Sequence, residues 1–144
     1  MGKSYMNIMC YGQAVQLDKE GEISVGKAIR TILKQEAANQ PGKKVNCLSY
    51  SDSPAESVFL KVAAKQSALK PELFGFWDMG MDKDLSCIKK EMVKDVDVVL
   101  LFWDGIDASV VPYFVLALEE DKRVIILEPQ TFVAEEVKQR AMIC

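Results

Sequence analysis

Apolar residues along this chain fall into short runs separated by amphipathic stretches. The short runs predict five strands, over residues 5–11, 44–50, 73–77, 98–103 and 124–127. The run 98–103 shows no alternation of apolar and polar positions, which is typical of a central parallel strand that is covered on both faces. The chain therefore predicts a sheet whose most buried strand lies in its second half.

Apolar positions at helical spacing predict a helix after each strand. Ser24 is the expected cap of the first helix, which should end near residues 39–42. Ser53, Pro54 and Glu56 form a capping box with proline at the first helical position, which predicts the start of the second helix. Asp82 or Asp84 is the expected cap of the third.

The last three helices are predicted from their apolar residues. The third helix has Leu85, Ile88 and Met92 as its expected inner face, and a fourth runs through residues 110–118. A final helix is expected after the cap Thr131, with the stripe Val133, Val137 and Ala141.

Alternating strands and helices require crossover connections between parallel strands, and these are right-handed. The pattern predicts an α/β fold: a three-layer sandwich with a mostly parallel, Rossmann-like sheet of about five strands. Neither a linker nor a repeat divides the sequence, so residues 1–144 are expected to form a single domain.

Composition limits the chemistry. The chain has no histidine, which excludes catalytic triads with histidine, His-ligated zinc and histidine general bases. A net charge of −3 argues against nucleic-acid binding, and the short apolar runs predict no membrane span. The four cysteines form no metal-ligand or disulfide pattern, which favours a reducing, cytoplasmic location. Cys10 and Cys47 are expected to be buried as small hydrophobic residues.

Ligands of open parallel sheets bind beyond the carboxyl ends of the strands. The loops after the first, second, third and fourth predicted strands are therefore the candidate binding loops. The candidate ligand-binding residues are Tyr11, Gly12, Ser51, Asp52, Ser53, Trp103, Gly105, Asp107 and Ser109. The long segment 12–23 is either a binding loop or a plain surface connection.

Two strand ends repeat a Trp-Asp pair. We interpret Trp77 as a core residue and Asp78 as the start of a turn, whereas Asp104 is equally suited to a turn and to ligand binding.

No GxGxxG motif follows the first strand, and the capping box satisfies the second helix internally. Because the excess of carboxylates lies in the second half, sugar hydroxyls are better ligands here than phosphate. No cofactor and no metal are expected.

Residues 92–128 resemble the second half of SLOG-superfamily domains, in which a strand ends in Trp-Asp-Gly before a short turn and a helix. Here Trp103-Asp104-Gly105 has that pattern, and Ala55-Glu56 stands where the family has Ala-Asp. The family's phosphate-contacting glycines are replaced in this chain. The resemblance implies a Rossmann-like module that binds nucleotides or nucleotide-derived ligands.

The same half is similar to nucleoside 2-deoxyribosyltransferases. Asp84-Leu85-Ser86-Cys87-Ile88 matches a stretch before the family's buried strand, and Asp104 or Asp107 matches the aspartate after it. The family's nucleophilic glutamate has no counterpart, because residues 112–114 are Pro-Tyr-Phe. This resemblance implies Asp84 and Asp104 as catalytic carboxylates.

Three functional hypotheses follow. The first is binding of a nucleoside- or nucleotide-derived small molecule, and the second is hydrolysis or transfer at an N-glycosidic bond. The third is a non-catalytic interaction protein that retains the fold. Residues 110–118 are apolar nearly all round, which a buried helix explains most simply and a homo-oligomer interface explains next.

Overall fold

The computed structural model describes residues 5–80 and 86–137 and has the predicted α/β fold. Its strands are β1 (Tyr5–Gly12), β2 (Lys44–Ser49), β3 (Phe74–Asp78), β4 (Val98–Phe102), β5 (Arg123–Leu127) and β6 (Ala134–Glu136). Its helices are α1 (Lys19–Asn39), α2 (Pro54–Leu69), α3 (Ser86–Glu91) and α4 (Val111–Glu119), and a 3₁₀ turn at Met92–Asp95 follows α3.

The strand order is β3-β2-β1-β4-β5-β6, in which β1 to β5 are parallel and β6 pairs antiparallel with β5. This is the order of a Rossmann-like sheet, which the sequence left open. Strand order reverses between β1 and β4, so the topological switch point lies at their carboxyl ends.

Two apolar clusters cover the two faces of the sheet and complete the three layers. One packs α1 and α2 against Ile8, Cys47 and Leu100, and the other packs α4 and the 3₁₀ turn against the opposite face. β4 is buried along its whole length, as its unbroken apolar run predicts. Cys10 and Cys47 are buried within the first cluster.

Helix α1 begins earlier than expected. Asp18, not Ser24, is its cap, and Asp18 Oδ1 accepts a hydrogen bond of 2.7 Å from the Gly21 amide. The connection from β1 therefore spans residues 13–18 only, and the prediction of a long loop over residues 12–23 is wrong.

The prediction of a helix after Thr131 is wrong for residues 134–136, which form β6. The Thr131 amide and hydroxyl both donate to the Glu128 carboxylate, at 2.7 and 3.1 Å, and this turn reverses the chain onto β5. Ala141, the last residue of the expected stripe, lies outside the described residues.

Two apolar residues expected in the core are exposed. Trp77 is 69% exposed and Ile88 is 45% exposed. Trp77 lies on β3, the end strand of the sheet, on the face opposite to α1 and α2. Asp78 does begin a turn, because its carboxylate accepts a hydrogen bond of 2.8 Å from the Gly80 amide.

Within residues 5–80 and 86–137, no helix is long and apolar enough to span a bilayer.

Candidate functional site

The sequence-predicted site residues form two groups at the carboxyl edge of the sheet. One group surrounds the ends of β1 and β2, and the other follows β4. Asp84, and the expected cap Asp82, lie outside the described residues.

A buried carboxylate lies at the centre of the first group. Glu56 is fully buried near the start of α2. Its Oε2 accepts a hydrogen bond of 3.2 Å from the Gly12 amide, and its Oε1 accepts one of 3.0 Å from the Asp52 amide. Lys89 Nζ lies 3.1 Å from Glu56 Oε2 and 3.0 Å from Asp52 Oδ2. These contacts connect α3, α2 and β1 across the edge of the sheet.

Lys89 is itself 7% exposed. Burial lowers its pKa, but the charge of Glu56 and the hydrogen bonds to Asp52 and Glu56 outweigh burial and hold the pKa above its ordinary value. For Glu56, burial raises the pKa, and the Lys89 charge opposes that shift. The ammonium also lies 5.8 to 6.0 Å from the ring centres of Tyr11, Tyr50 and Tyr113, where cation–π attraction contributes.

Tyr11 is part of this packed layer. Its side chain is fully buried, its ring stacks on Tyr113 with centres 4.2 Å apart, and its hydroxyl donates a hydrogen bond of 2.8 Å to the Lys89 carbonyl. Burial raises its pKa. Tyr11 therefore offers no surface to a ligand in this structure.

The start of α2 carries its own anion. The Glu56 amide donates to the Ser53 hydroxyl, as the capping prediction requires, but the Glu56 carboxylate bonds the amides of Asp52 and Gly12 instead of the Ser53 amide. Ser51 donates its amide to the Gly80 carbonyl at 2.9 Å. Because the Glu56 carboxylate already accepts from the Asp52 and Gly12 amides and places a negative charge beside the start of α2, this group is unsuited to phosphate.

The second group begins with a hydrogen-bonded aspartate. Asp104 Oδ1 accepts from the amides of Ile106 and Asp107, at 2.8 and 2.9 Å, and Oδ2 accepts from Gln13 Nε2 at 3.4 Å. The Asp104 amide donates back to Gln13 Oε1 at 2.7 Å, which links the ends of β1 and β4. Gly105 adopts the positive φ of +85° that this turn requires.

These amides determine the protonation of Asp104. The hydrogen bonds from Asp107 and Ile106 hold its pKa below the ordinary value. Asp104 is therefore ionised at neutral pH, where it can accept hydrogen bonds but cannot protonate a leaving group.

The rest of the loop is bonded internally. Asp107 Oδ1 accepts from the Ser109 amide at 2.9 Å and from the Ser109 hydroxyl. Trp103 is buried beside Phe114, and its Nε1 donates a hydrogen bond of 2.9 Å to the Asp107 carbonyl. Asp107 and Ser109 thus shape the turn that holds Trp103.

A cavity of about 470 Å³ lies beyond the carboxyl ends of β4 and β5, a volume within the usual range for small-molecule sites. It brings together three predicted residues, Trp103, Asp104 and Gly105. The other residues that line it are Ile126, Glu128, Thr131, Val133, Glu135, Glu136 and Val137. Sequence reasoning missed this loop after β5, although it too follows the carboxyl end of a parallel strand.

Glu128 is the second carboxylate of this cavity. Its Oε2 accepts from the amides of Gln130 and Thr131, both at 2.7 Å, and the Thr131 bond is the largest cause of its lowered pKa. Among the described residues none donates a hydrogen bond to Oε1. Glu128 is thus an ionised carboxylate with one oxygen available as an acceptor. In the described part of the chain, no group of three or more Cys, Asp or Glu residues is arranged to hold a metal ion.

The fold and the cavity define a Rossmann-like α/β domain with an acidic, partly apolar pocket. No protein-family model matches the chain, and no curated protein matches it significantly.

Proposed function

We propose that this protein binds an uncharged, nucleoside-like small molecule in the cavity beside Trp103. The observation that carries the proposal is the composition of the lining of that cavity: Trp103 and Ile126 are apolar, and Asp104 and Glu128 are ionised acceptors. A planar base can pack against the apolar residues while sugar hydroxyls donate to the carboxylates. Small-molecule sites typically combine an apolar lining with a few such polar groups.

The charge of the cavity favours a ligand without phosphate. Four carboxylates and no basic side chain are among its described lining residues. Glu136 is paired with Arg123, and the charges of the other carboxylates repel a phosphate monoester at low ionic strength. At the start of α2, the Glu56 carboxylate takes the Asp52 and Gly12 amides and adds a negative charge that disfavours a second anion. Among the nucleotide-derived ligands that the SLOG resemblance implies, nucleosides therefore suit this cavity best.

Calorimetric titration with matched pairs tests the proposal. Nucleosides and deoxynucleosides are compared with their 5′-monophosphates, and NAD and ADP-ribose complete the panel. We expect at least one nucleoside to bind, and its monophosphate to bind at least about tenfold more weakly in low salt. A monophosphate that binds more tightly than its nucleoside, or no binding across the panel by folded protein, would contradict the proposal. Chromatography of the same mixtures for released base tests the N-glycosidic alternative.

Replacing Glu128 by glutamine is expected to weaken nucleoside binding by about tenfold, because one charged acceptor becomes a neutral amide. The matched control is Glu72→Gln, which changes an exposed carboxylate outside the cavity and is expected to leave the affinity unchanged. Equal affinities for the two variants would show that Glu128 does not contact the ligand.

A further inference from the structure

Helix α4 is apolar but is poorly covered by the fold. Ala117 is the one residue of the helix that is buried, while Val111 and Val115 are 38% and 44% exposed. Tyr113 and Phe114 face inward, against Tyr11 and Trp103. The simplest sequence interpretation, a buried helix, is therefore wrong for the outer side of α4.

The charges at the C-terminus of α4 oppose its dipole, and its N-terminus lacks a stabilising anion. No acidic residue lies in the first turn, no side chain caps the N-terminus, and no basic residue lies in the last turn. The acidic residues Glu119, Glu120 and Asp121 instead follow one another at the C-terminus. Both ends are unfavourable in an isolated helix, because anions stabilise N-termini and cations stabilise C-termini.

A second copy of the same helix would cover the exposed valines and bring an acidic residue to the uncapped N-terminus. Val111, Val115 and Glu119 are spaced four residues apart and so form one line along the helix, with Val115 at the midpoint. If two such helices pack antiparallel about a two-fold axis at Val115, the valines meet each other. Glu119 of each copy then lies beside the uncapped N-terminus of the other.

We propose that this face of α4 binds a second copy of the chain and forms an antiparallel homodimer. A face with an uncapped helix N-terminus at one end and Glu119 at the other suits an interface in which both copies contribute the same surface. The proposal is independent of the ligand in the cavity and can hold without one.

Sedimentation velocity over a range of protein concentrations tests it directly, and the parent protein is expected to dimerise. Val115→Lys places two lysines against each other at the axis and is expected to raise the dimer dissociation constant at least about a hundredfold. Because Val115 is not a core residue, circular dichroism should show the parent fold. A parent protein that remains monomeric at high concentration would overturn the proposal.

Two further variants test the axis and its direction. Val115→Cys is expected to form an intermolecular disulfide under mild oxidation, beyond any seen in the parent protein oxidised in parallel. Glu119→Lys places a cation beside the uncapped N-terminus of the second copy and is expected to weaken the dimer, whereas the exposed control Glu72→Lys should not. A dimer that Glu119→Lys leaves unchanged would contradict antiparallel packing.

A matched control lies on β3, away from α4. Trp77→Thr removes a large exposed side chain from β3, far from α4 in strand order, and should leave the dimer intact. If Trp77→Thr dissociates the dimer and Val115→Lys does not, the contact lies on the β3 side and the proposal is wrong.

Discussion

Replacing Lys89 with methionine is expected to destabilise the protein by about 3 kcal/mol at neutral pH. The methionine fills most of the lysine's volume, but it leaves the fully buried Glu56 without the ammonium 3.1 Å away. The amides of Gly12 and Asp52 still donate to that carboxylate, so the loss stays near the lower end of what a broken buried pair costs.

The loss should depend on pH in a defined direction. Burial already raises the pKa of Glu56 above its ordinary value of 4.5, and removing the Lys89 charge raises it further. A carboxyl whose pKa is raised by folding favours the folded state at pH values below the unfolded pKa, and this advantage is lost as the pH rises through the folded pKa. The free energy of unfolding of Lys89→Met should therefore be closest to that of the parent protein near pH 4. The difference between the two proteins should grow as the pH increases.

Urea unfolding across this pH range measures the effect. Lys94→Met is the control, because it breaks an exposed pair with Glu91 and should cost less than about 1 kcal/mol. Glu56→Gln combined with Lys89→Met should recover part of the loss, since the buried charge is then absent. A deficit that is the same at every pH would show that lost packing, not the unpaired carboxylate, destabilises the variant.

The sequence predicted those parts of the fold that depend on local pattern. The apolar run of β4 and the Ser53 cap each specify their element from neighbouring residues, and both are confirmed. The start of α1 was missed because Asp18 and Ser24 are equally good caps, and the first turn after Asp18 is polar and carries no apolar stripe. β6 was missed because its residues, Ala134–Glu136, are all exposed and therefore show no alternation.

The candidate site was harder to predict, because its contacts join distant parts of the chain. Lys89 and Glu56 are 33 positions apart, and nothing in the pattern around either residue indicates the other. Asp104 was correctly placed at the edge of the sheet, but the internal bonds that hold its carboxylate come from its own loop and from Gln13. The position of Trp77 depended on strand order, which makes β3 the end strand.

The second large effect is expected at Gly12, where β1 ends against the start of α2. A Cβ at this position would lie 2.8 Å from Ser53 Oγ and 3.4 Å from Ala55 Cβ. The first distance is shorter than a carbon and an oxygen that are not bonded can approach, so the capping serine must move. Gly12→Ala is therefore expected to destabilise the protein by about 2 kcal/mol, as overpacked sites do.

A double-mutant cycle identifies the cause. Ser53→Gly removes the clashing hydroxyl and, as a cap, glycine costs only a few tenths of a kcal/mol. The double variant should accordingly be more stable than the sum of the two single changes, by about 1 kcal/mol. Gly26→Ala is the control: its Cβ would make ordinary contacts of 3.6 and 3.7 Å with valines of α2, and alanine favours the helix.

The same variants distinguish the two groups of site residues. Close packing of Gly12 on α2 leaves no space there for a ligand, whereas the cavity beside Trp103 is lined by the loop after β4, by Ile126 of β5 and by the segment that follows β5. Gly12→Ala should thus reduce the free energy of unfolding while nucleoside affinity, measured well below the unfolding temperature, stays at the parent value. If Gly12→Ala also loses nucleoside affinity, the ligand contacts the β1 end of the switch point. The binding site would then be assigned to that end and not to the cavity beside Trp103.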